Sequence, residues 1–121
     1  MRFAFFTLVL FLGFTSCNSQ EDIKSITTTE LKALLAKENI QLLDVRSPEE
    51  IKQGAIKTAI FANYFDDDFY EKATKQLDKN KPVYLYCRSG NRSGKSAKIL
   101  QAEGYVVYNV SGGYNQWKKE N

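Results

Sequence analysis

From residue 26 onward the apolar positions follow two alternating spacings, and the alternation predicts the architecture. Leu31, Leu34 and Leu35 fall on one helical face. Thr27 is placed to cap that helix and Glu30, three residues on, to complete a capping box; the stripe ends near Asn39. Residues 41–45 form a short apolar run of the kind a buried strand carries. Pro48 with Glu49 and Glu50 opens a second short helix, which Gly54 stops, and residues 56–61 read as another core strand. Asp66, Asp67 and Asp68 sit among Tyr64, Phe65, Phe69 and Tyr70 and read as a solvated loop or helix start; residues 69–77 then read as helical and 79–82 as a turn. Residues 83–86 are a strand. Residues 93–103 are a helix that offers Ala97, Ile99, Leu100 and Ala102 for packing, with Gly104 at its end. Residues 105–110 are the last strand, and Gly112 and Gly113 turn into a final short helix around Trp117. Short apolar strands alternating with helices predict an α/β fold, a parallel sheet covered by helices on both faces.

Composition narrows the function more than the fold. At 121 residues the chain suits one domain. Its net charge of +3 is mild, with no dense Lys/Arg face, which argues against a nucleic-acid partner. There is no histidine, so histidine catalysis and histidine-ligated metals are excluded, and the two cysteines, Cys17 and Cys87, cannot build a Cys-rich zinc site. No metal or other cofactor is expected, and nothing requires more than a monomer.

The first residues read as a targeting segment. Arg2 supplies a positive charge and residues 3–14 are almost wholly apolar, too short for a span of ~20 residues but suited to a signal peptide. Small residues then precede a cysteine, Phe14-Thr15-Ser16-Cys17, in a pattern similar to a bacterial lipobox, although Phe14 replaces the usual aliphatic residue. The expected organisation is a lipoprotein-type signal peptide at 1–16, a lipidated tether at 17–25 and the domain at 26–119. The chain is then exported to the cell envelope and held on a lipid bilayer, facing the periplasm, through Cys17. An ordinary cleaved signal or an uncleaved anchor is the competing reading. With Cys17 lipidated, Cys87 has no partner in the chain, and an unpaired thiol in an oxidising compartment points to reactivity.

Cys87 follows a strand, at the carboxyl edge of the sheet, where open α/β sheets bind ligands. The loop Arg88-Ser89-Gly90-Asn91-Arg92 comes next, then the helix from Ser93. The first turn of a helix presents unpaired N–H groups and partial positive charge. Gly90 lets the loop curl so that several N–H groups converge into an anion nest. That field, with Arg88 and Arg92, stabilises a thiolate, the nucleophilic form of cysteine, with no histidine base needed. The plain alternative is a small buried hydrophobe; two Arg, two Ser and a Gly around it speak against that.

Three blocks resemble the rhodanese family of sulfurtransferases, and the resemblance spans residues 26–117. Residues 42–50 (LLDVRSPEE) are similar to the family's Asp-Val-Arg segment and its following Glu. Residues 86–93 (YCRSGNRS) are similar to the active-site loop Cys-x-x-Gly-x-Arg-Ser. Residues 110–117 (VSGGYNQW) are similar to the closing Gly-Gly and Trp. The resemblance implies a single domain with a five-stranded parallel sheet. It implies that Cys87 takes a sulfane sulfur from a small anionic donor such as thiosulfate and passes it, as a persulfide, to cyanide or a thiol acceptor. Arg88, Ser89, Gly90, Asn91, Arg92 and Ser93 would then bind the substrate or persulfide. Asp44 and Arg46 would be structural beside the site, and Trp117 would be a packing residue near the cleft. Where the family carries Gly-His-Ile-Pro-Gly-Ala this chain has Gly54-Ala55-Ile56-Lys57-Thr58-Ala59, which predicts an altered cleft wall.

Two other functions compete. Phosphatases of the same fold place five residues between Cys and Arg, whereas four separate Cys87 from Arg92, a loop sized for sulfur rather than a phosphoryl group. A membrane-tethered carrier would load sulfur once, without turnover.

Overall fold

The computed structural model describes residues 22–121; the segment expected to be a signal peptide, Cys17 and most of the expected tether lie outside them. Five strands, β1 (Lys24–Ile26), β2 (Gln41–Asp44), β3 (Ile60–Phe61), β4 (Val83–Tyr86) and β5 (Val107–Val110), form one parallel sheet in the order β1-β5-β4-β2-β3. The helices are α1 (Thr28–Lys37), α2 (Pro48–Lys52), α3 (Phe69–Thr74), α4 (Asn91–Ala102) and α5 (Gly113–Glu120).

The side-chain alternation of each strand feeds two cores. Leu42, Tyr86 and Val110 meet Leu31 of α1, with Tyr114 and Trp117 of α5 against them. Leu43, Leu85, Cys87 and Val107 meet Phe69 and Ala73 of α3 and Ala97 and Leu100 of α4. Each fully buried Leu or Val in these layers contributes about 1.5–3 kcal/mol of transfer free energy. The α/β class, the parallel sheet and the helices on both faces are as the periodicity predicts.

The strand order places the site. The chain leaves β2 toward the β3 edge and leaves β4 toward β5, so the switch between the two directions falls between the neighbours β2 and β4. In such sheets the crevice for a ligand opens there, beyond the carboxyl ends. The segments that follow those two strands are residues 45–47 and 87–90.

Several elements differ from the sequence reading at their ends, α3 stopping at Thr74 and β5 starting only at Val107, and two differences change the sheet. Residues 24 and 25 belong to the sheet rather than to the tether: β1 pairs in parallel with β5, Lys24 opposite Tyr108 and Ile26 opposite Val110. The strand expected over 56–61 shrinks to Ile60–Phe61. Ile56 is buried, but its N–H donates to the Tyr86 hydroxyl at 3.1 Å, and the Ala59 N–H donates to the Ile56 carbonyl at 3.2 Å, closing a turn. Thr58 in that turn has φ +72°, which no strand accommodates.

Left-handed backbone costs a β-branched residue about 1–2 kcal/mol, and glycine almost nothing. Glycine returns part of that gain as unfolded-state entropy. Thr58→Gly therefore raises stability by about 0.5–1 kcal/mol, read as a higher urea midpoint, while Thr58→Ala, which keeps its Cβ, gives no such gain. A Gly variant no more stable than the parent would show that the turn carries no strain.

Candidate active site

Cys87 continues the line of β4 by one residue, on the face covered by α4, and is unpaired and 1% exposed. Gly90 reverses the chain at φ +114° and is the N-cap of α4, so α4 begins at Asn91, two residues earlier than the sequence suggests. The reversal aims the Gly90 N–H at the sulfur, 3.1 Å from Sγ. The Ser93 hydroxyl, fully buried, lies 3.4 Å from Sγ. Burial pushes the Cys87 thiol up; hydrogen bonds from the Ser93 hydroxyl and from the N–H groups of Ser93, Gly90 and Ser89 more than offset it. The thiol therefore ionises below its ordinary value. The anion nest is present, and it is made of backbone amides and one hydroxyl.

The loop is tied down from α5. The Tyr114 N–H donates to the Cys87 carbonyl at 2.8 Å and the Asn115 N–H to the Arg88 carbonyl at 3.0 Å. This approach requires Gly113, at φ +54°: a Cβ there would lie 2.5 Å from the Cys87 carbonyl oxygen and 2.7 Å from that of Arg88. The Gly-Gly of the third sequence block thus holds the loop of the second.

The predicted site residues divide into those at the sulfur and those around it. Ser89, Gly90 and Ser93 supply donors to Sγ. Asn91 is exposed at the start of α4. Arg88 is exposed, and among the described residues it has no ion-pair partner. It borders a polar cleft of about 240 Å³ together with Arg46, Glu50, Gln53, Tyr114 and Lys118. Arg92 departs from the role of a free substrate-binding cation. Its guanidinium grips Glu50 of α2 with two bonds, Nη1–Oε1 2.7 Å and Nη2–Oε2 2.8 Å. Asp44 and Arg46 form a buried ion pair, Nη2–Oδ2 2.8 Å. Trp117 packs in the α1 side of the core and lines a separate hollow of about 530 Å³ with Ala55, Lys57 and Thr58. Departures at Ala55, Lys57 and Thr58 therefore alter that hollow, which shares no residue with the Cys87 loop.

Glu50 is a functional neighbour that sequence reasoning left without a role at the site. It completes a capping box with Ser47: its N–H donates to the Ser47 hydroxyl oxygen at 3.4 Å, while its carboxylate accepts from Ser47 and from Arg92. The signal was available in Ser47-Pro48-Glu49-Glu50, the S-x-x-E pattern of a helix start. The Arg92 guanidinium holds the Glu50 carboxyl at about 2, from an ordinary 4.5; burial opposes the shift and the Ser47 bonds assist it. Because the folded value is depressed, the contribution is whole above pH 4.5 and lost as pH falls toward 2. The pair is partly exposed, so we expect Glu50→Gln to cost about 1 kcal/mol at pH 7. In urea titrations the gap between parent and variant should close as pH drops from 4.5 toward 2. A gap independent of pH would show that the carboxylate is not the stabilising form.

Comparison with known proteins gives the same class as this geometry. The rhodanese-like domain family matches residues 27–120. YtwF of Bacillus subtilis is 39% identical over 100 residues, covering 82% of this chain and 94% of its own. A sulfurtransferase of Allochromatium vinosum is 32% identical over 99 residues, covering 80% and 90%. The crystal structure of a rhodanese-like domain protein from Staphylococcus aureus superposes with a TM-score of 0.72 at 36% identity, covering 78% of this chain and 91% of that one. The chain belongs to the rhodanese-like family, and it is a sulfurtransferase in the general sense of that family.

Proposed function

We propose that this protein moves a sulfane sulfur from thiosulfate, or a similar small anionic donor, to a thiol or cyanide acceptor through a persulfide on Cys87. The observation that carries the reading is the Cys87 sulfur inside a ring of amide donors, its thiol biased toward the thiolate. The thiolate attacks the outer sulfur of thiosulfate. A new S–S bond forms, the donor's S–S bond breaks, and sulfite leaves with its electron pair. The persulfide then carries the negative charge on its outer sulfur, which the N–H groups of the loop can hold. An acceptor thiolate or cyanide attacks that outer sulfur, and Cys87 leaves as a thiolate, ready for the next donor. Sulfur arrives and departs at one oxidation level, so the cycle consumes no redox cofactor. Arg88, an exposed cation of the loop with no ion-pair partner among the described residues, draws the anionic donor in; Arg92 acts through Glu50 to hold α4 against α2.

Incubation with thiosulfate followed by intact-mass measurement, then cyanide with thiocyanate detection, tests the reading. Gain of one sulfur and steady thiocyanate release support it. Loading without turnover would turn it into a sulfur carrier, and neither signal would remove thiosulfate as donor.

The exported, lipid-anchored state belongs to the same proposal. It is supported by the apolar residues 3–14 and the small residues before Cys17. Expression of the full chain in a bacterium fed labelled fatty acid should label the protein in the membrane fraction. Cys17→Ser should remove the label, and an unlabelled parent would overturn the anchor.

A further inference from the structure

Asn109 stands in the middle of β5, opposite Leu85 of β4, and its half-buried side chain reaches the Cys87 loop. The amide Nδ2 donates to the Gly90 carbonyl at 3.0 Å. A carbonyl only accepts, so this contact fixes which end of the amide faces which way. Oδ1 must then face Ser93, and the Ser93 hydroxyl donates to it at 2.6 Å. Ser93 has one hydroxyl proton. The same hydroxyl oxygen lies 3.4 Å from Cys87 Sγ, an ordinary distance for a bond to sulfur, so the two acceptors compete for one proton, and the short 2.6 Å contact to Oδ1 takes it while the sulfur is neutral. With its proton on Asn109, Ser93 turns a lone pair toward the sulfur, an arrangement that suits a neutral S–H and not a thiolate.

We infer that Asn109 is a positioning residue that withholds the Ser93 proton from Cys87 until the sulfur is charged. On ionisation the thiol proton leaves to solvent. The Ser93 O–H then rotates, breaking its bond to Asn109 Oδ1 and making one to the thiolate, while Nδ2 stays on the Gly90 carbonyl. When Cys87 carries an extra sulfur the charge sits on the outer atom, Sγ is neutral, and the proton returns to Asn109. When the acceptor removes that sulfur, Sγ leaves as a thiolate and the proton swings back. Ser93 is thus a donor that the site deploys only to the charged form, and Asn109 sets how readily it does so. The charged groups around the sulfur are Arg88 in the loop, Arg92 of α4 and its partner Glu50 of α2; β5 contributes the neutral Asn109 and α5 its backbone near Gly113. An apolar residue at 109 leaves that field unchanged.

The meaning of the switch for turnover rests on Cys87 being the sulfur carrier, but its measurement does not. Alkylation of the full chain by iodoacetamide across pH, with the peptide bearing Cys87 quantified by mass spectrometry, gives the thiol midpoint separately from Cys17 and without any sulfur donor. Asn109→Leu, which offers Ser93 no acceptor, should lower the Cys87 midpoint by about 0.5–1 pH unit. Ser93→Ala should raise it by a similar amount. In the Ser93→Ala background, Asn109→Leu should lower it no further. The smaller Asn109→Val is made alongside in both backgrounds in case leucine disturbs the loop, with folding checked by circular dichroism. A midpoint that rises or stays put in the folded Asn109 variants, or a fall that persists without Ser93, overturns the inference. Failure of sulfur loading in the parent would instead remove the sulfur-carrier reading and leave the proton switch standing.

Discussion

Cys87→Ala should gain no sulfur from thiosulfate and should release thiocyanate at the rate of buffer alone, a loss of about four orders of magnitude or more. The loss should come without unfolding. Removing one buried sulfur atom from a position 1% exposed costs about 1 kcal/mol, a fraction of the stability of a domain this size. Cys87→Ser is the sharper variant. Its oxygen could keep the contact with the Gly90 N–H, so the loop stays as it is, yet a hydroxyl does not ionise at neutral pH and cannot hold a sulfane sulfur. It should be as inactive as the alanine variant and at least as stable. Residual turnover in either variant, with a second thiol mass-labelled by thiosulfate, would move the nucleophile away from Cys87 and undo the mechanism.

How far the sequence discloses this site depends on how local each interaction is. Cys87, its loop, Gly90 and the start of α4 are contiguous, so strand end, chain reversal and helix terminus can be read in one pass, and the nest around the sulfur is legible from them. The same holds for the parallel sheet, because strands buried on both faces have nothing polar to alternate with. Contacts across the chain are not legible in that way. Arg92 and Glu50 are 42 positions apart, so nothing near Arg92 shows that its charge is already engaged. Asn109 is one polar residue in an apolar strand, and its importance comes from the β4–β5 register that sets it beside the loop. Strand β1 was invisible for another reason: Lys24 and Ser25 are exposed at the sheet edge, so the strand has no apolar run to announce it. At residues 56–61 the apolar content signals burial, which holds for Ile56 but not for Phe61, 43% exposed, and it signals extension, which holds only at Ile60–Phe61. Ile56 is buried by a turn that Thr58 closes in a left-handed conformation.

The second large effect should come from the buried Asp44–Arg46 pair. Asp44→Ala should cost about 3–5 kcal/mol, because it strands the Arg46 charge in the interior. Asp44 is completely buried and Arg46 is 3% exposed. The carboxylate accepts from Arg46 Nε at 3.0 Å, from Nη2 at 2.8 Å and from the Arg46 backbone N–H at 3.0 Å. Burial opposes the Arg46 charge; the Asp44 bonds outweigh it and push the guanidinium above its ordinary value. Without Asp44 the cation keeps the Gly54 carbonyl at 2.8 Å and the Tyr114 ring at 4.2 Å, which cannot replace a counter-charge. Removing both charges together should be far milder. Asp44→Leu with Arg46→Met takes away the stranded ion as well as its partner, and should recover most of the loss in urea unfolding. Activity should not recover with it. Arg46 is what holds the Gly54 carbonyl and the Tyr114 ring in place, and the Tyr114 N–H in turn holds the Cys87 carbonyl. The double variant should therefore be a stable protein with slower sulfur loading. If it regains full activity along with its stability, the ion pair serves the fold alone and the path from Arg46 through Tyr114 to the Cys87 loop carries nothing.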